Sequence, residues 1–324
     1  MMSCHVDSKL EIPLSRFLTE IALLVLATLL LSALITPWVF YGLHSIVADF
    51  PWPFSRVFDR VAMGVALGII LLRRRYLRLD GLRGQIQPYL SFADLRPAGI
   101  QSFSIGCLLS LGSCLLLLPF IVQSGDLTWQ QMSTQSLVLK FLKALPVGIL
   151  VSCIEETFFR FVLFAMLRKS LPFLIAAGGS SLLYATVHFI QPVKSWAPSH
   201  FDPFSGLTYL SVIFTRYGEA GILEAGFGLF LVGIVLCLVV ERTQSLIPSI
   251  GLHTGWVIAM KVIAIITTAQ AGFSYPIGAG RRYFILTYAI SWLAVCLVGL
   301  LAVSIFSRRS IHQIVEDDQY VEDM

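Results

Sequence analysis

Apolar runs of about 20 residues, the length that crosses a bilayer as a helix, recur along this chain between short polar breaks. They lie at residues 18–42, 57–72, 101–123, 137–167, 172–190, 222–240, 246–268 and 283–306 and predict eight membrane helices. The second run is short. The fourth is long and contains Pro146, where the missing N–H and the ring favour a kink or break. The stretch GLTYLSVIF (206–214) is too short to span and predicts a loop helix or a re-entrant piece. No internal repeat and no soluble domain stand out. The pattern predicts an all-α, polytopic transmembrane helix bundle of about eight spans, with any active site buried between helices. The chain divides into N-terminal membrane helices (1–134, about three spans) with a basic loop at 73–96, a helical core (135–268), and a last span with an acidic tail (269–324).

Composition agrees with the pattern. The 324 residues are 56% hydrophobic and 13% charged, roughly half the charged share of about 25% in soluble domains, and the mean hydropathy is +0.81. A soluble globular enzyme is excluded, and no nucleic-acid partner is expected; membrane lipid is. The N-terminal segment MMSCHVDSKLEIPLSRF is polar for too long to resemble a cleavable signal. Of six cysteines, all but Cys4 lie within apolar runs and none forms a CxxC pair, so they read as buried small hydrophobes.

Charge placement orients the bundle. RRRYLRLDGLRG (73–84) sets five arginines against one aspartate, and cytoplasmic loops carry the excess of Lys and Arg. Alternation from that loop puts the N-terminus, Arg168 and Lys169, Glu241 and Arg242, and Arg308 and Arg309 on the cytoplasmic side. Arg281 and Arg282 fall on the opposite side, against the rule. The tail VEDDQYVEDM reads as a solvated cytoplasmic end.

Ionisable residues at membrane depth mark function, because burying an unpaired charge costs about 2–4 kcal/mol or more. Glu20, Arg60, Lys140, Lys143 and Glu224 lie near predicted span ends, where long side chains reach the interface. Glu155, Glu156, Arg160, His188 and His253 lie deeper. Glu155 stands 13 residues before Arg168, His188 stands 16 after Pro172 and His253 stands 11 after Arg242. At 1.5 Å per residue these are roughly 16–24 Å from the cytoplasmic ends of their helices, so the three can share one layer.

Within IEETFFRF (154–161), Glu156 and Arg160 are i,i+4 with the acid first, the favourable order for a pair on one helix face. Glu155 is rotated about 100° away and is left to face a cavity. Glu156 is therefore expected to be structural and Glu155 chemical, a carboxylate in a low-dielectric pocket that suits a general base. LLYATVHFIQP places Tyr184 and His188 at i,i+4. SIGLHTGWVIAMK supplies His253, with Gly251 and Gly255 permitting close helix approach. One carboxylate and two imidazoles from three helices match either a two-His-one-carboxylate metal site or a metal-free hydrolytic site with a base and an oxyanion donor.

EETFFR resembles the EExxxR motif of the CPBP family of CAAX proteases and bacteriocin-processing enzymes, which includes the type II CAAX prenyl endopeptidases. YATVH is similar to the family's FxxxH motif, with Tyr184 in place of Phe, and His253 resembles the histidine of the HxxxN motif. The resemblance covers about residues 140–265. It departs at position 257, where Val257 replaces the expected Asn, a donor that helps stabilise the oxyanion; Lys261 follows one turn later on the same face.

The resemblance implies intramembrane hydrolysis of a peptide bond in a prenylated, peptide-precursor or membrane-protein substrate. Glu155 with His188 would activate water, His253 would stabilise the oxyanion, and Glu156 and Arg160 would hold the site. Zinc is a candidate cofactor, with Glu155, His188 and His253 as its ligands, and a glutamate-driven mechanism fits the same residues. Two other classes compete. A proton-coupled transporter also uses intramembrane Glu and His, but it would show repeats. A non-catalytic scaffold or immunity-type protein on the same fold would tolerate Val257.

Overall fold

A computed structural model describes residues 13–47, 49–73, 97–190, 193, 196–276 and 283–322. The basic loop after Arg73, and Arg281 with Arg282, lie outside the described residues. The element order is α1 (Leu14–Ile46), α2 (Phe54–Arg73), α3 (Pro97–Gln123), β1 (Leu127–Trp129), α4 (Thr134–Glu156), a π-helical segment (Thr157–Phe164), α5 (Ala165–Ser170), α6 (Phe173–Val187), α7 (Ser205–Thr215), α8 (Ile222–Thr243), α9 (Ile247–Ile266), β2 (Thr267–Ala269), a 3-10 turn (Phe284–Thr287) and α10 (Ala289–Glu322). Among the described residues the architecture is all-α but for one two-stranded sheet of three residues a strand: β1 and β2 pair antiparallel, Leu127 opposite Ala269 and Trp129 opposite Thr267.

Six of the eight predicted crossings are helices long and apolar enough to span a bilayer: Leu14–Ile46, Ala98–Gln123, Thr134–Ser170, Ile222–Thr243, Ile247–Ile266 and Ala289–Phe306. The other two differ for physical reasons. α2 carries Arg56, Asp59 and Arg60 in its first two turns. α6 has only 15 residues, about 22 Å of helix; it stops at Val187, so His188 caps a helix end rather than lying inside a span. Pro146 is accommodated within α4, which runs unbroken through the π segment into α5. The segment 206–214 is a short helix, as its length predicts.

The elements group into two compact units, Met1–Gln85 with Phe189–Gly218, and Ile86–His188 with Glu219–Met324. In the first, α1, α2 and α7 enclose Ala33, Phe54, Phe58, Tyr209, Leu210 and Ile213. A Cβ at Gly206 would meet the Ala33 backbone, so α7 lies directly on α1.

The second unit is built around α9. A Cβ at Gly251 would collide with the Phe103 backbone, and one at Gly255 with the Cys107 carbonyl and Ser110 Oγ. The two glycines thus bring α9 into backbone contact with α3, as small residues do between membrane helices. At one end of this unit Arg168, in α5, pairs with Glu241, in α8, at 2.9 Å; at the other, β1 and β2 tie the start of α4 to the end of α9. Outward positions such as Leu182 and Leu223 are large, apolar and exposed, a surface suited to lipid.

Candidate active site

The EETFFR stretch straddles a change of helix type. Glu155 and Glu156 end α4, and the π segment begins at Thr157. π-turns of this kind occur often at functional sites. The wider turn is stitched on both sides: Thr157 Oγ1 donates to the Cys153 carbonyl at 2.6 Å, and the Phe159 carbonyl accepts from Ser180 Oγ of α6 at 3.0 Å.

Glu156 and Arg160 are fully buried. Arg160 Nη1 donates to Glu156 Oε1 at 2.9 Å. Two further donors reach the same carboxylate from α9: Ser249 Oγ to Oε2, and His253 Nδ1 to Oε1 at 2.8 Å. Glu156 is thus the node that fixes α9 to α4 and sets the orientation of the His253 ring. Arg160 also lies over the Tyr184 ring, with Cζ 4.6 Å from its centroid.

Glu155 points elsewhere. Its Oε2 lies 3.5 Å from His188 Nε2 and 3.6 Å from His253 Nε2, and it is buried with no hydrogen-bond partner among the described residues. The tautomers follow from the outer contacts. His188 Nδ1 faces the Tyr184 carbonyl at 2.7 Å, which only accepts, so Nδ1 carries the proton. His253 Nδ1 faces a carboxylate oxygen and carries its proton likewise. The Nε2 atom of each ring then faces the Glu155 carboxylate oxygen. These separations are longer than direct hydrogen bonds, which leaves the carboxylate oxygen open to a water molecule.

These groups open into a cavity of about 530 Å³ lined by Glu155, Tyr184, His188 and His253 and by the apolar side chains Val147, Val151, Leu229, Val232, Trp256 and Val257. Lys261 and Tyr283 line it as well. The cavity is large enough for a short apolar peptide segment, and Glu155, Tyr184, His188 and His253 meet on its wall among mainly apolar side chains, as in enzyme pockets generally.

The donor chemistry of Glu155, His188 and His253 suits zinc, and each imidazole has its second nitrogen hydrogen-bonded, as metal-ligating histidines do. As positioned, however, no three His, Cys, Asp or Glu side chains among the described residues form a metal-ligand group.

With this geometry in place, the comparison with known families becomes specific. Residues 137–259 match the family model of the Rce1-like type II CAAX prenyl endopeptidases. No curated protein and no solved structure matches the chain. The Rce1-like segment runs from α4 into α9. It is less than half of the chain, yet it holds Glu155, Glu156, Arg160, Tyr184, His188, Ser249, His253 and Val257 and ends two residues before Lys261. At the level of the family it supports a CAAX-type intramembrane endopeptidase, and with the six apolar helices it marks a membrane protein.

The structure therefore brings Glu155, His188 and His253 together, pairs Glu156 with Arg160, and puts Tyr184 against His253; Lys261 lines the same cavity from an exposed position. Sequence reasoning missed Ser249. Its signal was present: Ser249 precedes His253 by one turn on the same face of α9. The π segment had no such signal, because its sequence reads as ordinary helix.

Proposed function

We propose that this protein is an intramembrane endopeptidase that hydrolyses a peptide bond in a prenylated or otherwise membrane-associated peptide substrate. The observation that carries the reading is Glu155 Oε2, a buried carboxylate oxygen facing two imidazole Nε2 atoms at 3.5 and 3.6 Å on the wall of a mainly apolar cavity.

In this reading a water molecule lies against Glu155 and His188. Glu155, oriented by His188, takes a proton from it as the oxygen attacks the scissile carbonyl carbon. The carbonyl oxygen becomes an oxyanion that accepts from His253 Nε2–H, the ring entering the step protonated on both nitrogens, and the proton held at Glu155 passes to the leaving amine as the C–N bond breaks. Glu156 lies behind His253 and stabilises positive charge on that ring as the oxyanion forms. No step is assigned to a metal. The apolar lining selects an apolar peptide or lipid-modified segment and excludes bulk water, which strengthens each electrostatic contact in the site. The five arginines of residues 73–84 support a cytoplasmic placement of both termini.

The test is cleavage of a farnesylated CAAX-type peptide by the purified full chain in detergent. Wild type is expected to release the C-terminal fragment, and Glu155→Gln and His253→Ala are expected to lose release by at least about a hundredfold. Full activity of Glu155→Gln would sink the assignment.

A further inference from the structure

The His253 ring offers an incoming oxyanion a single Nε2, and the residue one turn further into the cavity, Val257, offers no donor. Hydrolytic sites that stabilise a tetrahedral oxyanion use more than one donor as a rule, and each is worth about 10²–10³ in rate. A second donor therefore has to come from another wall of the cavity. Tyr184 is placed to supply it. Its side chain is 2% exposed, it lines the cavity, and its hydroxyl lies 3.4 Å from His253 Nε2. Glu155 Oε2 lies 3.6 Å from that same nitrogen. The phenol and the base thus approach one imidazole nitrogen from α6 and from α4, leaving the space around Nε2 bounded by a proton acceptor and a proton donor.

Three features argue that the hydroxyl is there for more than packing. First, the ring is held independently of it. Arg160 covers one face at 4.6 Å, Phe159 meets it edge-on at 5.1 Å, and His188 lies 4.3 Å from its centroid. A phenylalanine would make all three contacts. Second, a separation of 3.4 Å is long for a hydrogen bond from a hydroxyl, which prefers about 2.7–2.8 Å to oxygen. A buried phenol normally closes on its partner; this one is loosely engaged and free to turn to a better acceptor. Third, the Arg160 cation over the ring is attracted to its π electrons and draws density from the oxygen, which makes the O–H a stronger donor to an anion.

We infer that the Tyr184 hydroxyl is a catalytic hydrogen-bond donor to the oxyanion, sharing with His253 the work that the apolar Val257 cannot do. The inference rests on the endopeptidase reading and adds a residue to it. At rest the phenol stands beside His253 Nε2 at 3.4 Å. As water attacks and negative charge grows on the carbonyl oxygen, the phenol swings to that oxygen and donates to it without giving up its proton. The substrate's ground-state carbonyl carries little charge, so the contact strengthens in the transition state and acts on kcat more than on KM.

The experiment is a double-mutant cycle on the full chain in detergent, with a farnesylated CAAX-type peptide as substrate. Tyr184→Phe is expected to lower kcat about a hundredfold with KM within about threefold, and to leave the thermal midpoint unchanged because the ring contacts survive. Val257→Asn puts an amide donor one turn from His253. It is expected to restore at least tenfold of the lost kcat in the Tyr184→Phe background and to add little to wild type. Tyr184→Phe with wild-type kcat would overturn the inference while leaving the endopeptidase reading intact.

A second measurement does not depend on turnover. The same peptide carrying a phosphinate at the scissile position presents a fixed tetrahedral anion. Wild type is expected to bind it more tightly than the amide peptide, and Tyr184→Phe to lose about tenfold of that preference or more while binding the amide peptide equally. Loss of no preference in Tyr184→Phe overturns the inference; absence of both cleavage and phosphinate preference in wild type overturns the endopeptidase reading along with it.

Discussion

His253 donates from Nδ1 to Glu156 Oε1 at 2.8 Å, while its Nε2 stands 3.6 Å from Glu155 Oε2. Neighbouring glutamates on one helix thus address opposite nitrogens of one ring, and this separates their roles. Glu156 is fully buried under three donors; Glu155 faces the cavity with an oxygen that no described residue satisfies.

Conservative substitution should split the two. Glu155→Gln removes the base but leaves the Glu156 network whole, so cleavage is expected to fall by at least about a hundredfold with the thermal midpoint in detergent unchanged. Glu156→Ala strands the buried Arg160 guanidinium. Breaking a buried pair in this way costs about 3–5 kcal/mol, so the midpoint should drop by several degrees together with activity. Thermal unfolding and kcat measured on both variants check the split; equal midpoints for the two would overturn the structural role of Glu156.

Ser249→Ala removes one of the three donors to Glu156 and nothing else. The hydroxyl reaches Glu156 Oε2 across 93 positions of sequence, and a hydrogen bond to a charged group is worth about 1.5–3 kcal/mol. A destabilised but folded protein is expected, with kcat reduced about tenfold through a less firmly oriented His253. A variant indistinguishable from wild type in both stability and kcat would show that Arg160 and His253 suffice.

Much of this site was legible before any coordinates. The i,i+4 spacing of Glu156 and Arg160 dictates a one-face pair on any α-helix, and the depth shared by Glu155, His188 and His253 limits them to one layer. Gly251 and Gly255 announced a close helix contact. What the sequence withheld was tertiary. The π segment after Glu156 has no compositional mark, because π and α turns differ in hydrogen-bond register rather than in residue preference. α6 ends at Val187 through its surroundings, where an apolar run to residue 190 predicted continuation. The Tyr184 hydroxyl meets His253 only once α6 and α9 are packed.

The close approach of α9 to α3 should be intolerant of added atoms. Gly251→Val and Gly255→Val each push a side chain into the backbone of α3, and overpacking typically costs about 1–3 kcal/mol; here backbone rather than a flexible side chain must yield. Both variants are expected to express poorly or unfold at lower temperature. Gly112→Ala, with nothing within 4 Å of its added Cβ, is the control and should match wild type in detergent melting.

The donor set of Glu155, His188 and His253 invites a metal test. In the metal-free reading proposed above, hydrolysis is expected to survive incubation with 1,10-phenanthroline followed by removal of the chelator. Zinc content should not track activity across preparations. Inactivation by the chelator with recovery on adding zinc would reassign the three residues from base and polarisers to ligands, a role their outward hydrogen bonds would also support.

The last expectation concerns orientation. Arg168 pairs with Glu241 at 2.9 Å, so the ends of α5 and α8 lie at the same end of their unit, whereas β1 and β2 mark the other end. A single membrane sidedness must therefore hold for Lys169 and Gln244 together, and the opposite one for Ser133. The arginines of residues 73–84 favour the cytoplasmic face for the first pair. In a background lacking native cysteines, Lys169→Cys and Gln244→Cys are expected to resist a membrane-impermeant maleimide in intact cells and to react after lysis, while Ser133→Cys reacts from outside. If Lys169→Cys and Gln244→Cys labelled from different sides, the Arg168–Glu241 contact would fall; if all three reversed together, the packing would stand and only the charge rule would have failed.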